Sequence, residues 1–273
     1  MKKRMRFLTI FFLLASLSAL LFACGGGGSS DEEASGESGD AGNESGEEIT
    51  KLVAGTDATY APMEYMDDNG EIVGINIDIV NALAEELGIE VEFKNIGWEP
   101  LFPAVDNGEV DFAVSSITIT EEREESYDFT DPYYIANQLI LVPEDSDVTS
   151  FQDLEDKRVA VQINTTGHIV VKDLLGETST NIVAAETMPL AISEMINGNA
   201  EAAVGDNSTV NEYIKNNPDA AVKTVEDDSF EKEYYGLMVK KGNAEVLELL
   251  NEGIEKIKEN GKLAEISGFE MEE

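Results

Sequence analysis

From residue 51 onward, short apolar runs alternate with amphipathic helical segments, and this alternation most limits how the chain can fold. Lys51–Gly55 and Ile89–Phe93 are typical of buried strands. Between them, Ile77–Leu87 places apolar residues on one face of a helix that Gly88 would end. The alternation continues to a long helix at Glu245–Glu259. Repeated β-α-β units predict an α/β fold with parallel sheets covered by helices.

The same patterns predict the remaining elements. We expect strands at 110–114, 158–162, 182–184, 202–204 and 235–239, and helices at 101–106, 166–175, 189–196 and 208–215. Asn69-Gly70 is a strong signal for the turn of a β-hairpin.

The first 23 residues have the composition of a secretory signal peptide. Basic residues precede an uncharged apolar run, Phe7–Phe22, which is short for a membrane span. The run ends at Leu21-Phe22-Ala23-Cys24, which resembles the lipobox of bacterial lipoproteins. This resemblance implies that Cys24, the only cysteine, carries a lipid. The alternative is an ordinary signal peptide followed by an unmodified cysteine.

Residues 24–48 contain mainly glycine, serine and acidic residues. Such a segment has little to bury and repels itself, so we expect a flexible linker. The N-terminus therefore predicts a lipid-anchored protein at the extracellular face of the cell membrane, or on the periplasmic side in a double-membraned cell.

The charge balance limits the partners and the chemistry. With 56 acidic and 18 basic residues, the formal net charge is −38, which argues against binding to nucleic acid or to an anionic lipid surface. A single cysteine excludes an intrachain disulfide, and a single histidine, His168, argues against a multi-histidine metal site. We expect no cofactor and no metal, and we expect His168 to lie on the surface.

A series of short motifs carries a resemblance to a known family. They are Gly55–Glu64, Gly74–Asp78, Phe102–Val105, Gly108–Asp111, Ile117–Arg123, Asp128–Tyr134, Val159–Gln162, Gly198–Asp206 and Tyr235–Leu237. In this order they resemble the bacterial extracellular solute-binding proteins of the amino-acid type (family 3), which are the capture subunits of ATP-driven ABC importers. The resemblance covers about residues 51–268.

The resemblance implies a two-lobed fold, the type II periplasmic-binding-protein-like fold, with two crossover strands and a ligand cleft between the lobes. Lobe 1 would comprise 51–140 plus 236–273, and lobe 2 would comprise 141–235. The crossings would lie near Gln138–Val142 and Glu233–Met238. Hinge closure of two such lobes can enclose a small ligand.

The resemblance also implies roles for residues that would bind a zwitterion. Arg123, in a T-x-x-R motif, would grip the ligand carboxylate with its planar guanidinium. Thr165 and Thr166, at a predicted helix start, would bind the other side of the carboxylate, and Asp206 would pair with the ammonium. From the residues alone, a solvated side chain in a charged helix start is the favoured interpretation of Arg123, and Asp206 could be a helix cap.

Further side chains would complete the pocket. Ser115 and Ser116 follow a predicted strand, and Ser116 and Thr118 would supply further ammonium acceptors and a hydroxyl for the carboxylate. The other expected lining residues are the aromatic Tyr60 and Trp98 and the polar Asp57, Glu64 and Gln162. Acidic and aromatic walls suit a cationic group, so we predict arginine, lysine or histidine as ligand. Glutamine or another polar amino acid is the alternative.

Three functions remain open at this stage. The first is a monomeric, non-enzymatic transport receptor that passes a free amino acid to ABC permease and ATPase subunits. The second is a dehydratase-like enzyme on the same scaffold, although no nucleophile–base pair is evident. The third is a sensory module that presents its ligand to another protein.

Overall fold

The computed structural model describes residues 49–271. The predicted signal peptide (1–23), the lipidation site Cys24 and the linker (24–48) lie outside the described residues. Within 49–271, none of the helices is long and apolar enough to cross a bilayer.

Fifteen strands and eight α-helices make up the described chain. The strands are β1 (Lys51–Thr56), β2 (Thr59–Tyr60), β3 (Glu64–Met66), β4 (Ile72–Val73), β5 (Glu90–Asn95), β6 (Phe112–Ala113), β7 (Tyr127–Phe129), β8 (Tyr134–Ala136), β9 (Gln138–Pro143), β10 (Val159–Gln162), β11 (Ile182–Ala185), β12 (Ala202–Asp206), β13 (Val222–Val225), β14 (Glu233–Tyr235) and β15 (Met238–Lys240). The helices are α1 (Ile75–Leu87), α2 (Trp98–Asn107), α3 (Glu121–Ser126), α4 (Thr166–Leu175), α5 (Met188–Ile196), α6 (Asn207–Asn216), α7 (Ala244–Glu259) and α8 (Lys262–Ser267).

The predicted helices are all present, and α1 ends at Gly88, whose left-handed φ of 70° stops the helix. The predicted hairpin turn at Asn69-Gly70 connects β3 to β4. The predicted strand 235–239 is wrong as one element, because it breaks between β14 and β15. Gly236 lies at the break, where a side chain would come within 3 Å of Ile119.

Two mixed five-stranded sheets form the body of the protein. Their strand orders are β5-β1-β6-β15-β7 and β11-β10-β12-β9-β13. We call the part built on the first sheet lobe 1 and the part built on the second lobe 2. The expectation of purely parallel sheets is wrong at β15 and β9, which run against their neighbours. Each reversed strand is the one that the chain enters directly after the connection between the sheets.

That connection is a two-stranded antiparallel pair, β8 with β14, which we call the connecting ribbon. The first crossing therefore lies at Tyr134–Ala136 and not near Gln138–Val142, because β9 already belongs to the second sheet. The second crossing, β14, falls within the predicted Glu233–Met238. The remaining lobe boundaries stay a prediction.

The carboxyl ends of four central strands face the region between the lobes. In lobe 1, β1 leads into Asp57 and β6 leads into Ser115 and Ser116. In lobe 2, β10 ends at Gln162 and β12 ends at Asp206. Helices α2, α4 and α5 pack on these strands and fix their positions. Polar side chains thus lie at the carboxyl ends of strands from both lobes, and open α/β sheets bind ligands at such strand ends.

Candidate ligand-binding site

A small cavity, with about 310 Å³ of empty space that is partly open to solvent, lies between the two lobes. The structure brings all of the sequence-predicted pocket residues around it; their roles in binding stay a prediction. The lining residues are Asp57, Tyr60, Glu64, Trp98, Ser115, Ser116, Thr118, Arg123, Gln162, Thr165, Thr166 and Asp206.

Glu64 is a completely buried carboxyl group at the start of β3. Its Oε2 accepts a hydrogen bond from Asn76 Nδ2 at 2.5 Å, and its Oε1 accepts one from the Ser115 hydroxyl at 3.1 Å. The Ser116 hydroxyl donates to Oε2 at 3.4 Å. Burial raises the pKa of Glu64 well above its ordinary value, because the charged form loses its hydration. All three donors are neutral groups, so none of them is a cation that would offset the cost of ionising Glu64.

Asp57 is a second buried acid, and it links the lobes. Its carboxylate accepts hydrogen bonds from the Thr59 hydroxyl at 3.0 Å and from Gln162 Nε2, across the cleft, at 3.3 Å. Burial raises the pKa of Asp57. Gln162 Oε1 and Trp98 Nε1 are buried without a hydrogen-bond partner among the described residues. Two of the lining residues thus each carry a buried polar atom that has no partner in the described protein.

Arg123 is placed by the start of α3. The Thr120 hydroxyl caps this helix by accepting from the Arg123 backbone N–H at 3.2 Å. The guanidinium lies 5.5 Å from the ring centroid of Trp98 and 5.8 Å from that of Phe102, and its Nη1 donates to the Thr118 carbonyl oxygen at 2.7 Å. Arg123 thus belongs to a helix start and also lines the cavity. Burial lowers the pKa of Arg123, because the charged guanidinium loses hydration. An anion bound beside it would compensate for that loss.

Asp206 ends β12 and carries a buried carboxylate. It accepts hydrogen bonds from Gln138 Nε2 at 2.6 Å and from the Tyr235 hydroxyl. Burial is the main cause that raises the pKa of Asp206 to about 6, and the negative charge of Glu233 is the second. An ammonium group here would offset both effects.

The turn before α4 presents the helix start to the cavity. Asn164 has a left-handed φ of 58°, a conformation that asparagine tolerates. Thr165 caps α4 by accepting from the His168 backbone N–H at 3.2 Å. The expectation of a surface His168 is wrong: it is only 8% exposed, and its Nδ1 accepts from the Asn164 N–H at 2.9 Å. The imidazole packs beneath the turn and supports it.

The sequence interpretation missed three polar residues that hold this site together. Asn76 on α1 donates to Glu64, and Gln138 on β9 donates to both Asp206 and Glu233. Asn76 lies inside the Gly74–Asp78 motif and Glu233 at the predicted second crossing, so their positions alone could have drawn attention to them. Their partners are distant in sequence, and therefore only the fold reveals them.

The cavity is acidic overall, because Asp57, Glu64 and Asp206 line it together with a single arginine. Among the described residues, no group of three or more His, Cys, Asp or Glu side chains is arranged to hold a metal ion. The arrangement suits a small molecule that has one anionic group near Arg123 and cationic groups elsewhere.

Two α/β lobes that enclose a polar cavity beside a connecting ribbon define a solute-binding protein. Residues 52–268 match the family described as bacterial extracellular solute-binding proteins, family 3, and the chain belongs to this family.

Individual relatives agree with this assignment. A "Probable histidine-binding protein" of Neisseria gonorrhoeae is 37% identical over 212 residues, covering 77% of this chain and 79% of the relative. "ABC transporter arginine-binding protein 1" of Escherichia coli K12 is 33% identical over 219 residues, covering 80% and 89%. The solved structure of the arginine-, lysine-, histidine-binding protein ArtJ from Geobacillus stearothermophilus has a TM-score of 0.76 at 43% identity, covering 80% of this chain and 93% of ArtJ.

The raised pKa of Asp206 predicts a pH-dependent stability. The pKa of Asp206 is about 6 in the folded protein and about 3.9 in the unfolded chain. The folded state therefore binds a proton more tightly at this group. The resulting stabilisation of the folded state is complete below pH 3.9 and is lost as the pH rises through 6. Between pH 4.5 and 7, Asp206 should therefore remove about 2 kcal/mol from the free energy of unfolding. Urea denaturation of the purified ligand-free protein at both pH values measures this loss.

The matched control is Asp206→Asn, which keeps the shape of the side chain without its titration. We expect the variant to lose about 2 kcal/mol less than the wild type over the same pH interval. Equal losses in the two proteins would contradict the assignment.

Proposed function

We propose that the protein binds a free basic amino acid, namely arginine, lysine or histidine, and delivers it to an ABC importer. The observation that carries this proposal is the surplus of buried acids around one arginine: Asp57, Glu64 and Asp206 share the cavity with Arg123. A ligand with two cationic groups and one carboxylate would complement that pattern, whereas a dicarboxylic amino acid would add uncompensated negative charge. The relatives named for binding arginine, lysine or histidine support the same ligand class.

The main-chain groups of the ligand would bridge the lobes. Its carboxylate would meet the Arg123 guanidinium from lobe 1 and the backbone N–H groups at the start of α4, beside Thr165 and Thr166, from lobe 2. Its ammonium would meet Asp206 in lobe 2. Because each end of the zwitterion is held by a different set of groups, binding would stabilise the closed arrangement of the lobes.

The side chain of the ligand would extend toward Asp57 and Glu64. Both carboxyl groups have raised pKa values caused by burial, and a nearby cation favours their ionised forms. The aromatic rings of Tyr60 and Trp98 line the same cavity and could pack against a guanidinium, ammonium or imidazole. Gln162 Oε1 is a free acceptor for a further N–H of the ligand.

We also propose that the protein is a monomer, anchored by a lipid on Cys24 at the outer face of the cell membrane. The acidic linker that follows would let the binding domain rotate near a permease. The support for this comes from the sequence around Cys24 and from the extracellular family.

A binding role is favoured over a dehydratase-like enzyme. The single histidine uses its Nδ1 to accept from the Asn164 backbone and does not line the cavity. The cavity thus lacks an imidazole base, and its polar groups instead match the two ends of an intact zwitterion.

Ligand binding can be tested by adding each amino acid separately to refolded, ligand-free protein in a calorimeter. We expect the tightest binding for arginine, lysine or histidine, at micromolar affinity or better, about −8 kcal/mol. Mass spectrometry of the released ligand should recover it unchanged. Arg123→Ala should lose about 2–5 kcal/mol of binding free energy, because the bound carboxylate would remain buried without its partner.

Arg158→Ala is the matched control for that variant, since Arg158 is a half-exposed arginine paired with Glu201 on the surface. It should bind like the wild type. Tightest binding of an acidic amino acid, chemical conversion of the ligand, or normal affinity of Arg123→Ala would each contradict the proposal.

Glu64→Gln should change ligand preference. The affinity for arginine should fall by about tenfold or more, because its cationic group loses a buried carboxylate, whereas the affinity for glutamine should change less. Titrations with both amino acids measure the ratio, and Glu92→Gln, an exposed acid paired with Lys51, serves as the control. An unchanged arginine-to-glutamine ratio would mean that Glu64 does not face the ligand side chain.

Cys24→Ser should release the protein from the membrane. Without the thiol no lipid can be attached. A signal peptide that has been cleaved off cannot anchor the mature protein either. Fractionation of producing cells measures the distribution of wild type and variant. If both fractionate identically with the membrane, the lipid anchor is refuted.

A further inference from the structure

Glu233 lies next to the cavity, on the connecting ribbon, and is absent from the set of residues that sequence reasoning identified. It is the first residue of β14 and pairs with Ala136 of β8. Its Oε2 accepts hydrogen bonds from the Thr118 hydroxyl at 2.6 Å and from the Thr166 hydroxyl at 2.8 Å. One carboxylate oxygen at the hinge therefore holds a hydroxyl from each lobe.

These bonds determine what the two threonines can offer a ligand. A hydroxyl has one O–H donor and two acceptor lone pairs. Since Thr118 and Thr166 both line the cavity and both donate to Glu233, only their lone pairs remain available inside it. One lone pair of Thr166 already accepts from Gln138 Nε2 at 3.2 Å, which leaves the other for a ligand. In this state the two hydroxyls can accept from an ammonium and cannot donate to a carboxylate.

Gln138 holds Glu233 in this position and connects it to Asp206. Its Nε2 donates to Glu233 Oε1 at 2.8 Å and to Asp206 Oδ1 at 2.6 Å. The side chain of Gln138 packs closely against the backbone of Gly167, since a Cβ at that glycine would lie 2.7 Å from Gln138 Oε1. Two carboxylates and two threonine hydroxyls thus form one hydrogen-bonded cluster at the hinge end of the cavity.

We propose that Glu233 is a positioning residue for ligand capture: it orients the Thr118 and Thr166 hydroxyls so that both accept from the ammonium of the bound amino acid. The inference rests on the proposed function. The ligand carboxylate is then left to Arg123 and to the backbone amides at the start of α4. This proposal differs from the sequence-based expectation, in which a hydroxyl also serves the carboxylate. The proposal also gives a reason for a carboxylate on the connecting ribbon, because Glu233 can reach the hydroxyls of Thr118 and Thr166 there.

The test compares L-arginine with 5-guanidinopentanoate, the same molecule without its α-amino group, for wild type and Glu233→Gln. In Glu233→Gln an NH2 group, which can only donate, replaces one carboxylate oxygen. In place of Oε2 it cannot accept from the two hydroxyls, and in place of Oε1 it opposes the NH2 group of Gln138, so in either orientation the side chain no longer holds the hydroxyls as Glu233 does. We expect Glu233→Gln to weaken L-arginine binding by about tenfold or more and to change the affinity for the deamino analogue far less. The readout is therefore the affinity for L-arginine divided by the affinity for the deamino analogue. A general loss of hinge stability would weaken both ligands alike and leave this ratio unchanged.

Glu231→Gln is the matched control, because it removes the same charge from an exposed glutamate two residues away. It should leave the ratio unchanged. A double-mutant cycle adds a second criterion: in a Thr118→Val background, Glu233→Gln should reduce the ratio less than it does in the wild type. If Glu233→Gln does not fold, as judged by circular dichroism, Glu233→Asp replaces it under the same criteria, since a shorter side chain withdraws the carboxylate from the hydroxyls.

The outcomes separate the inference from the proposed function. Equal weakening of both ligands, or an unchanged ratio, overturns the role of Glu233. Tighter L-arginine binding by Glu233→Gln also overturns it, because Glu233 would then occupy the carboxylate site and compete with the ligand. Failure of the wild type to bind L-arginine, lysine or histidine refutes the proposed function itself.

Discussion

The cost of burying negative charge governs this site. Glu64 and Asp206 are carboxyl groups removed from water, and their hydrogen bonds come from amides and hydroxyls rather than from cations. Arg123 is the cation that lines the same cavity, and it also loses hydration. Such a site is electrostatically incomplete by itself, since buried charges are stable only when they are paired. A ligand with complementary charges completes it, and this requirement connects the fold to the proposed capture of a basic amino acid.

The architecture supplies these charges from two lobes that are joined by the connecting ribbon. Strand ends place Asp57 in lobe 1 and Gln162 and Asp206 in lobe 2, and hydrogen bonds such as Gln162 to Asp57 cross the cleft directly. The reversed strands β9 and β15 follow from the same connection, because the chain enters each of them straight from the ribbon. Glu233 stands at this junction, so hinge geometry and ammonium recognition would share one hydrogen-bonded cluster.

The helices could be predicted closely because their apolar periodicity and their terminating glycines are local signals. The predicted Thr166–Leu175 is α4 itself, and Gly88 ends α1 as expected. Local signals failed where tertiary pairing decides. The run 235–239 has strand composition throughout, yet Gly236 passes against Ile119 between two different sheets and interrupts it. His168 looked like a surface residue because a single side chain in a helix start carries no pattern, and the fold buries it beneath the Asn164 turn.

The sequence by itself determined the α/β alternation and the likeness to amino-acid-binding proteins, and that likeness predicted the twelve side chains that line the cavity. Seven of those residues lie within the short motifs that carry this likeness, and the other five lie within four residues of such a motif. Only the tertiary structure decided how the lining residues are connected, through Asn76, Gln138 and Glu233. Their hydrogen bonds join residues such as Thr118 and Glu233, which lie 115 positions apart, and neither periodicity nor local propensity carries information over that distance. The direction of a hydroxyl proton, and with it what a threonine can offer a ligand, depends on such contacts alone.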